Sequence, residues 1–167
     1  MAIALTPSQL KTICPDAPAS AVLPLNSVLA RTGSTTHLRA AMLVAQLAAS
    51  SERLRSLEDP EARTLPSAPF FGRGWIRLTG RRAYREAGDA LELDLVRHPE
   101  LVLAHNTEVT AWFWNTHHLH VFSDEGDVDG CTRAIAGAEA TPERLALTQA
   151  LYDRACGVLS GGHCLAA

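Results

Sequence analysis

Apolar residues recur along most of this chain at intervals of three and four, and the breaks between these runs mark where one helix gives way to the next. Thr6-Pro7-Ser8-Gln9 sets a hydroxyl before a proline at the first helical position, which predicts a short helix reaching about Cys14 and halted by Pro15. A second covers residues 19–30. From 35 to 57 the positions Leu38, Met42, Ala45, Leu47, Ala49, Leu54 and Leu57, with few breakers, predict one long buried helix. Pro60, Pro66 and Pro69 then make residues 59–71 a loop. Thr79 is placed to cap a helix over 80–91, Pro99 opens a short one, and Asn106 is placed to cap a helix through Glu108, Ala111, Trp112 and Trp114. Segments 127–136 and 142–159 complete the series, the latter with Leu145, Leu147, Ala150, Leu151 and Ala155 on its apolar positions. Alternating Val/Ile/Thr-rich runs are missing and no internal repeat stands out. The pattern predicts a mainly α, single-domain protein.

Composition narrows the class. The 167 residues suit one core, and 47% hydrophobic residues with a net charge of -3 fit neither a disordered chain nor a general nucleic-acid binder. Cys14, Cys131, Cys156 and Cys164 form no CxxC pair, so reduced, buried thiols are expected rather than a disulfide framework or a zinc site. No apolar run nears the roughly 20 residues of a membrane helix. The N-terminal MAIALTPSQLKTICPD lacks the layout of a secretory signal, so the expectation is a product cytoplasmic as synthesised, without membrane insertion.

The most specific motif is Phe70-Phe71-Gly72-Arg73-Gly74-Trp75-Ile76-Arg77-Leu78-Thr79-Gly80-Arg81-Arg82-Ala83-Tyr84. It closely resembles the signature of family 19 glycoside hydrolases, the plant-type chitinases and related bacterial and phage endolysins: aromatic-x-G-R-G-x-I-Q-L-T-G-x-x-N-Y. Upstream, Leu38 to Gln46 is similar to the family's helix leading into a His-Glu-Ser motif. Downstream, Ala111-Trp112-Phe113-Trp114 and the stretch with Thr132-Arg133, Ile135 and Gly137 resemble its W-F-W and T-R-x-I-N-G segments, and Glu143-Arg144-Leu145 its closing helix. The resemblance covers nearly the whole chain. It implies a lysozyme-like, α-rich fold with a cleft for β-1,4-linked N-acetylated sugars; no cofactor or metal is expected.

The implied reaction is hydrolysis with inversion. It needs one carboxylic acid to protonate the leaving oxygen and one carboxylate to activate water, roughly 6.5–9.5 Å apart. Matched on Ala45-Gln46, the family's catalytic acid falls at Ser50 and its preceding His at Ala49, while Glu58 falls on the general base. A serine hydroxyl is far too weak an acid for the task near neutral pH. On a continuous helix Glu52 would lie about 200° around from position 50 and face solvent.

Other departures follow the same direction. The signature Gln is Arg77, a longer cation without the amide's acceptor. The signature asparagines are Ala83 and Ala136, although Tyr84, Ile135 and Gly137 remain. Only 11 residues separate Glu58 from Phe70, where related endolysins carry a longer insertion, so the groove is expected to be open on one side. Arg73, Trp75, Arg77, Thr79, Tyr84 and Arg133 are the remaining candidates for contact with a glycan or partner. These features together imply an inactive family member, a pseudoenzyme, acting as a binding protein toward a protein partner or a peptidoglycan- or chitin-type glycan, with an immunity or accessory factor in an antibacterial toxin or lysis system as the role that analogy suggests. A residual lysozyme or chitinase, with Glu58 as base and Glu52 or Glu61 as acid, is the alternative, and a non-cleaving glycan-binding module the second.

Three clusters have plainer readings. His117, His118 and His120 suit a solvated turn better than a metal site. Asp124, Glu125, Asp127 and Asp129 suit a helix entry better than a calcium loop. Arg73, Arg77, Arg81, Arg82 and Arg85 form a basic run that either grips an acidic partner or lies on a solvated helix face.

Overall fold

The helix over residues 40–48 is buried at every position, and the rest of the chain wraps around it. The computed structural model describes residues 1–58, 61–66 and 68–161. Its α-helices are α1 (Pro7–Ile13), α2 (Val22–Arg31), α3 (His37–Ser50), α4 (Arg81–Leu91), α5 (Leu101–Ala104), α6 (Asn106–Thr116), α7 (His120–Glu125), α8 (Val128–Ala136) and α9 (Pro142–Leu159). Short 3-10 turns occupy Ala19–Ala21, Ala62–Thr64 and Gly137–Glu139. No strand forms among the described residues. Isolated bridges join Arg73 to Glu58 and to Leu78.

Ala40, Ala41, Ala45 and Ala48 leave α3 narrow, which lets α9 pack along it while α7 and α8 close its sides. Its one polar core residue, Gln46, donates Nε2 to Thr132 Oγ1 at 2.9 Å and to the Val128 carbonyl at 3.3 Å. A buried amide satisfied this way fixes the register of α3 against α8. The cap expected at Thr6 forms, as a capping box on α1; Asp127 accepts from Gly130 N on α8, and Thr141 accepts from Arg144 N on α9. Cys14 and Cys131 are buried free thiols, Cys156 is buried, and Cys164 lies outside the described residues.

Other local expectations are corrected. The helix predicted over 35–57 ends at Ser50. Ser51 Oγ donates back to the Leu47 carbonyl and accepts from Leu54 N, while Glu52, Arg53 and Leu54 all take positive φ (49°, 61° and 64°). Arg53 N then reaches the Ala48 carbonyl, closing the helix with a left-handed turn. The second helix splits into a 3-10 turn and α2. Thr79 does not cap α4, because its hydroxyl donates to the Arg77 carbonyl and Gly80 takes the cap position. Asn106 is the first residue of α6 rather than its cap, and its side chain accepts from Trp75 N.

The histidine region is also more ordered than a solvated turn. His120 opens α7, half-buried, accepting from Trp114 Nε1 at 3.3 Å and donating through Nε2 to the Thr32 carbonyl. Asp124 pairs with Arg39 of α3. No group of three or more His, Cys, Asp and Glu is placed to hold a metal ion among the described residues. Nor is any described helix long and apolar enough to cross a membrane.

Candidate functional site

The end of α3, the turn over 70–80 and the junction of α8 with α9 enclose a cleft of about 490 Å³. Ala49 and Ser50 stand on its α3 wall. Glu52 and Arg53 follow in the left-handed turn, Gly72, Arg77 and Thr79 come from the 70–80 segment, and Glu139, Arg144 and Leu147 close the far side. Ala62 and Leu65 also line it, so the short 58–70 interval still supplies part of a wall. A second cavity of about 350 Å³ shares Arg77, Thr79, Glu139 and Arg144 with the first. It continues over an apolar floor of Ile76, Leu78, Ala83, Phe113, Ile135 and Ala136.

Ser50 is fully engaged with the backbone. Its Oγ lies 2.7 Å from the Gln46 carbonyl oxygen and 2.7 Å from that of Trp75, and the Ser50 carbonyl accepts from Arg77 Nε at 3.0 Å. The hydroxyl thus ties α3 to the signature turn. Arg77 holds a positive φ of 55°, costly for a residue with a side chain, and its guanidinium also reaches Ser56 Oγ at 3.3 Å.

Glu58 is not among the residues that line the cleft. Its Oε1 accepts from Arg73 Nε at 2.9 Å, and Arg63 approaches its second oxygen at 3.8 Å. The Arg73 side chain is only 8% exposed; Nη1 donates to the Pro69 carbonyl and to Tyr84 Oη, and the guanidinium stacks 3.7 Å above the Phe71 ring. Tyr84 is wholly buried, and its own hydroxyl donates to the Phe71 carbonyl. Burial pushes that phenol upward, with Arg73 opposing. Gly74 permits this turn: its φ is +75°, its N–H bonds the Leu57 carbonyl at 2.8 Å, and a Cβ would meet Asn106 Oδ1 at 2.9 Å.

The structure therefore divides the residues singled out from sequence. Ser50, Arg77 and Thr79 share the cleft, joined by Glu52. Glu52 is exposed, as expected, yet it lines the same cleft as Ser50, because the helix on which the 200° argument rested has already ended. Glu58, Arg73 and Tyr84 form a network beside the cleft. Trp75 is buried and borders a separate groove of about 420 Å³ with Leu54, Leu57 and Asn106. Arg133 sits exposed on α8, away from the cleft lining. The basic run splits: Arg73 and Arg77 turn inward, while Arg81, Arg82 and Arg85 lie on the exposed face of α4.

Arg53, Glu139 and Arg144 were not singled out as site residues from sequence. Burial drives the Arg144 pKa below its usual range; the nearby Glu139 carboxylate opposes this and the Arg77 guanidinium adds to it. Arg144 Nε is shut off from solvent and has no hydrogen-bond partner.

Residues 44–160 match the family model described as chitinase class I. Chitinase 8 of Oryza sativa subsp. japonica is 44% identical over 74 residues, covering 42% of this chain and 26% of that protein. The acidic 27 kDa endochitinase of Solanum lycopersicum is 33% identical over 98 residues, covering 56% and 37% respectively. The chain thus spans about a quarter to somewhat over a third of these relatives. Chitinase C from Streptomyces griseus HUT6037 superposes with a TM-score of 0.73 at 19% identity, over 93% of this chain and 76% of that one. The crystal structure of a bacterial family 19 chitinase superposes at 0.74 and 21% identity, over 92% and 94%. At these identities the superpositions establish a common, mostly helical lysozyme-like fold.

Proposed function

The chain belongs to the class I chitinase family, and we propose that it is a member whose cleft holds a ligand without cutting a glycan. One observation carries the reading: at the position matched to the family's acid stands Ser50, whose single hydroxyl proton is shared between two backbone carbonyl oxygens, each 2.7 Å from Oγ. No carboxyl proton is available there for a glycosidic oxygen. Two further features support it. Glu58 is paired with a nearly buried arginine and is not among the cleft-lining residues, and the polar residues that would read sugar hydroxyls are replaced by Ala83 and Ala136 on an apolar floor. A peptide-like partner suits such a surface better than a glycan. The test is incubation of the purified protein at high concentration with chitin oligomers and with peptidoglycan, products being separated by mass. No cleavage is expected, and cleavage abolished by Glu58→Gln would overturn the proposal.

A residual hydrolase is the competing reading, favoured by the presence of Glu52 in the cleft beside Ser50. A general acid of this class works from an apolar, shielded pocket. Glu52 is instead exposed in a cleft that Arg53 and Arg77 also line. Loss of a measured turbidity drop on permeabilised bacteria in Glu52→Gln would decide for this second reading.

A further inference from the structure

The groove of about 420 Å³ beside Trp75 shares no lining residue with the cleft. Its walls are mostly apolar, from Pro18, Ala21, Pro24, Leu54, Leu57 and Leu103. Its donors are unused. Trp75 is 4% exposed and Asn106 8%, yet Trp75 Nε1 and Asn106 Nδ2 have no hydrogen-bond partner among the described residues. Neither nitrogen is sealed from solvent, and this groove is the cavity that both residues line. A donor nine-tenths buried and left without a protein acceptor is satisfied only by what enters the groove. Arg55 adds an exposed guanidinium at the rim: its Nε donates to the Glu52 carbonyl at 3.1 Å, while its two Nη groups carry no hydrogen bond or ion pair among the described residues. Trp75 N–H bonds Asn106 Oδ1 at 2.8 Å and Gly74 N–H bonds the Leu57 carbonyl at 2.8 Å, which sets the indole, the amide and the 54–57 turn side by side. We propose that this groove binds a small monocarboxylate with an apolar body, an alkyl or aryl acid whose carboxylate accepts from Arg55, Trp75 and Asn106.

Charge selects the ligand. Arg55 is the one charged residue among the described residues that line the groove. Carboxylates close to it in the chain or beside the groove are engaged elsewhere: Asp16 lies 3.7 Å from Arg53, Glu108 is held by Arg31 at 3.1 Å and by Thr107, and Glu52 lines the cleft instead. One unpaired guanidinium thus meets one negative charge, and the flat carboxylate suits its two Nη donors. A phosphate dianion would bring a second charge with no cation to meet it. The eleven-residue α6 starts at Asn106, with Thr107 next on the groove wall, so the positive end of its dipole has the same sign. Proline and leucine walls offer nothing to sugar hydroxyls but suit an alkyl chain or ring, in a cavity within the usual span of ligand pockets, about 300–1,000 Å³. Because the groove is separate from the cleft, this binding is independent of whether the cleft cuts a glycan.

The test is calorimetric titration of the full chain with octanoate and with 1-naphthaleneacetate, each beside its neutral amide. An acid is expected to bind about tenfold more tightly than its amide, the difference between a charged and a neutral acceptor. Whichever acid binds more tightly identifies the body as alkyl or aryl. Arg55→Gln should lose a similar factor, and Ala104→Trp, which fills the groove from an exposed position on its wall, should abolish binding. Far-UV circular dichroism checks that both variants are folded. In the proton–nitrogen spectrum the Trp75 indole N–H, identified by its absence in Trp75→Phe, should shift on titration, while that of Trp114, already bonded to His120, stays in place. Equal binding of acid and amide, undiminished binding by folded Arg55→Gln or Ala104→Trp, a Trp75 indole signal that does not move, competition by inorganic phosphate as strong as by the acid, or no heat from either acid at millimolar concentration would each overturn the proposal.

Discussion

Replacing Glu58 by Gln tests whether this carboxylate belongs to the scaffold or to a reaction. Its partner Arg73 is 8% exposed at the side chain, bonded to Pro69 and Tyr84 and stacked on Phe71, so the guanidinium cannot swing out to water. Glutamine keeps the shape and an acceptor oxygen but removes the negative charge. Breaking a fully buried pair costs about 3–5 kcal/mol and an exposed one about 0–1. Glu58 is 26% exposed, which places it between these limits. The expected loss is about 2 kcal/mol, or a Tm lowered by roughly 4–8 °C for a chain of this size. Thermal melts followed by circular dichroism measure it, and Arg73→Met should fall at least as far because it also removes the stacking on Phe71. A free catalytic carboxylate behaves oppositely, since functional groups are often held at a cost to stability. A Glu58→Gln melt within about 1 °C of the parent would refute the structural role and return Glu58 to the list of candidate bases.

Three other outcomes are expected. Burial pushes the Cys131 thiol up to about 12, so it should resist Ellman's reagent at pH 8 in the native protein and react on unfolding. His120 has its pKa lowered by burial, so the unfolded chain binds the proton more readily; this contribution to stability is complete above about pH 6.5 and falls as the pH drops from there through the folded value. Urea midpoints measured from pH 8 to pH 5 should decline, and His120→Gln should flatten the decline. Ser50→Glu should release no measurable product from chitin oligomers, and activity from this single change would show that the arginines of the cleft do not control a carboxylate placed among them.

Most helices were legible because their signals are local: Thr6 before Pro7 as a cap, and the apolar period of α9. The signature around residues 70–84 carried the fold, since its glycines and aromatics answer to backbone geometry. What was missed depends on contacts between distant segments. The break after Ser50 comes from serine hydroxyls bonding back to α3 and from three successive left-handed residues, a conformation no propensity favours for Glu, Arg and Leu. His120 reads as a polar surface residue until Trp114 and Thr32 close over it. The cleft was half visible. Ser50 and Arg77 lie on matched motif positions, whereas Glu139 and Arg144 join them only because α8 and α9 fold back beside the end of α3.

The changes at positions 50 and 77 have a common physical consequence. A general acid must stay protonated near neutral pH, which needs an apolar setting and no nearby cation. Arg77 donates to the very carbonyl of residue 50, with Arg144 beside it in the same cleft. A carboxyl group restored at position 50 would therefore be drawn toward its ionised form and lose the proton that the reaction requires. Ser50 and Arg77 are also mechanically joined: the hydroxyl holds the Trp75 carbonyl, the guanidinium holds the Ser50 carbonyl, and together they clamp the signature turn, including the strained φ of residue 77, onto α3. Reversing either change alone leaves the other without its partner. On the non-hydrolytic reading, an acid at position 50 would therefore need changes at positions 50 and 77 together.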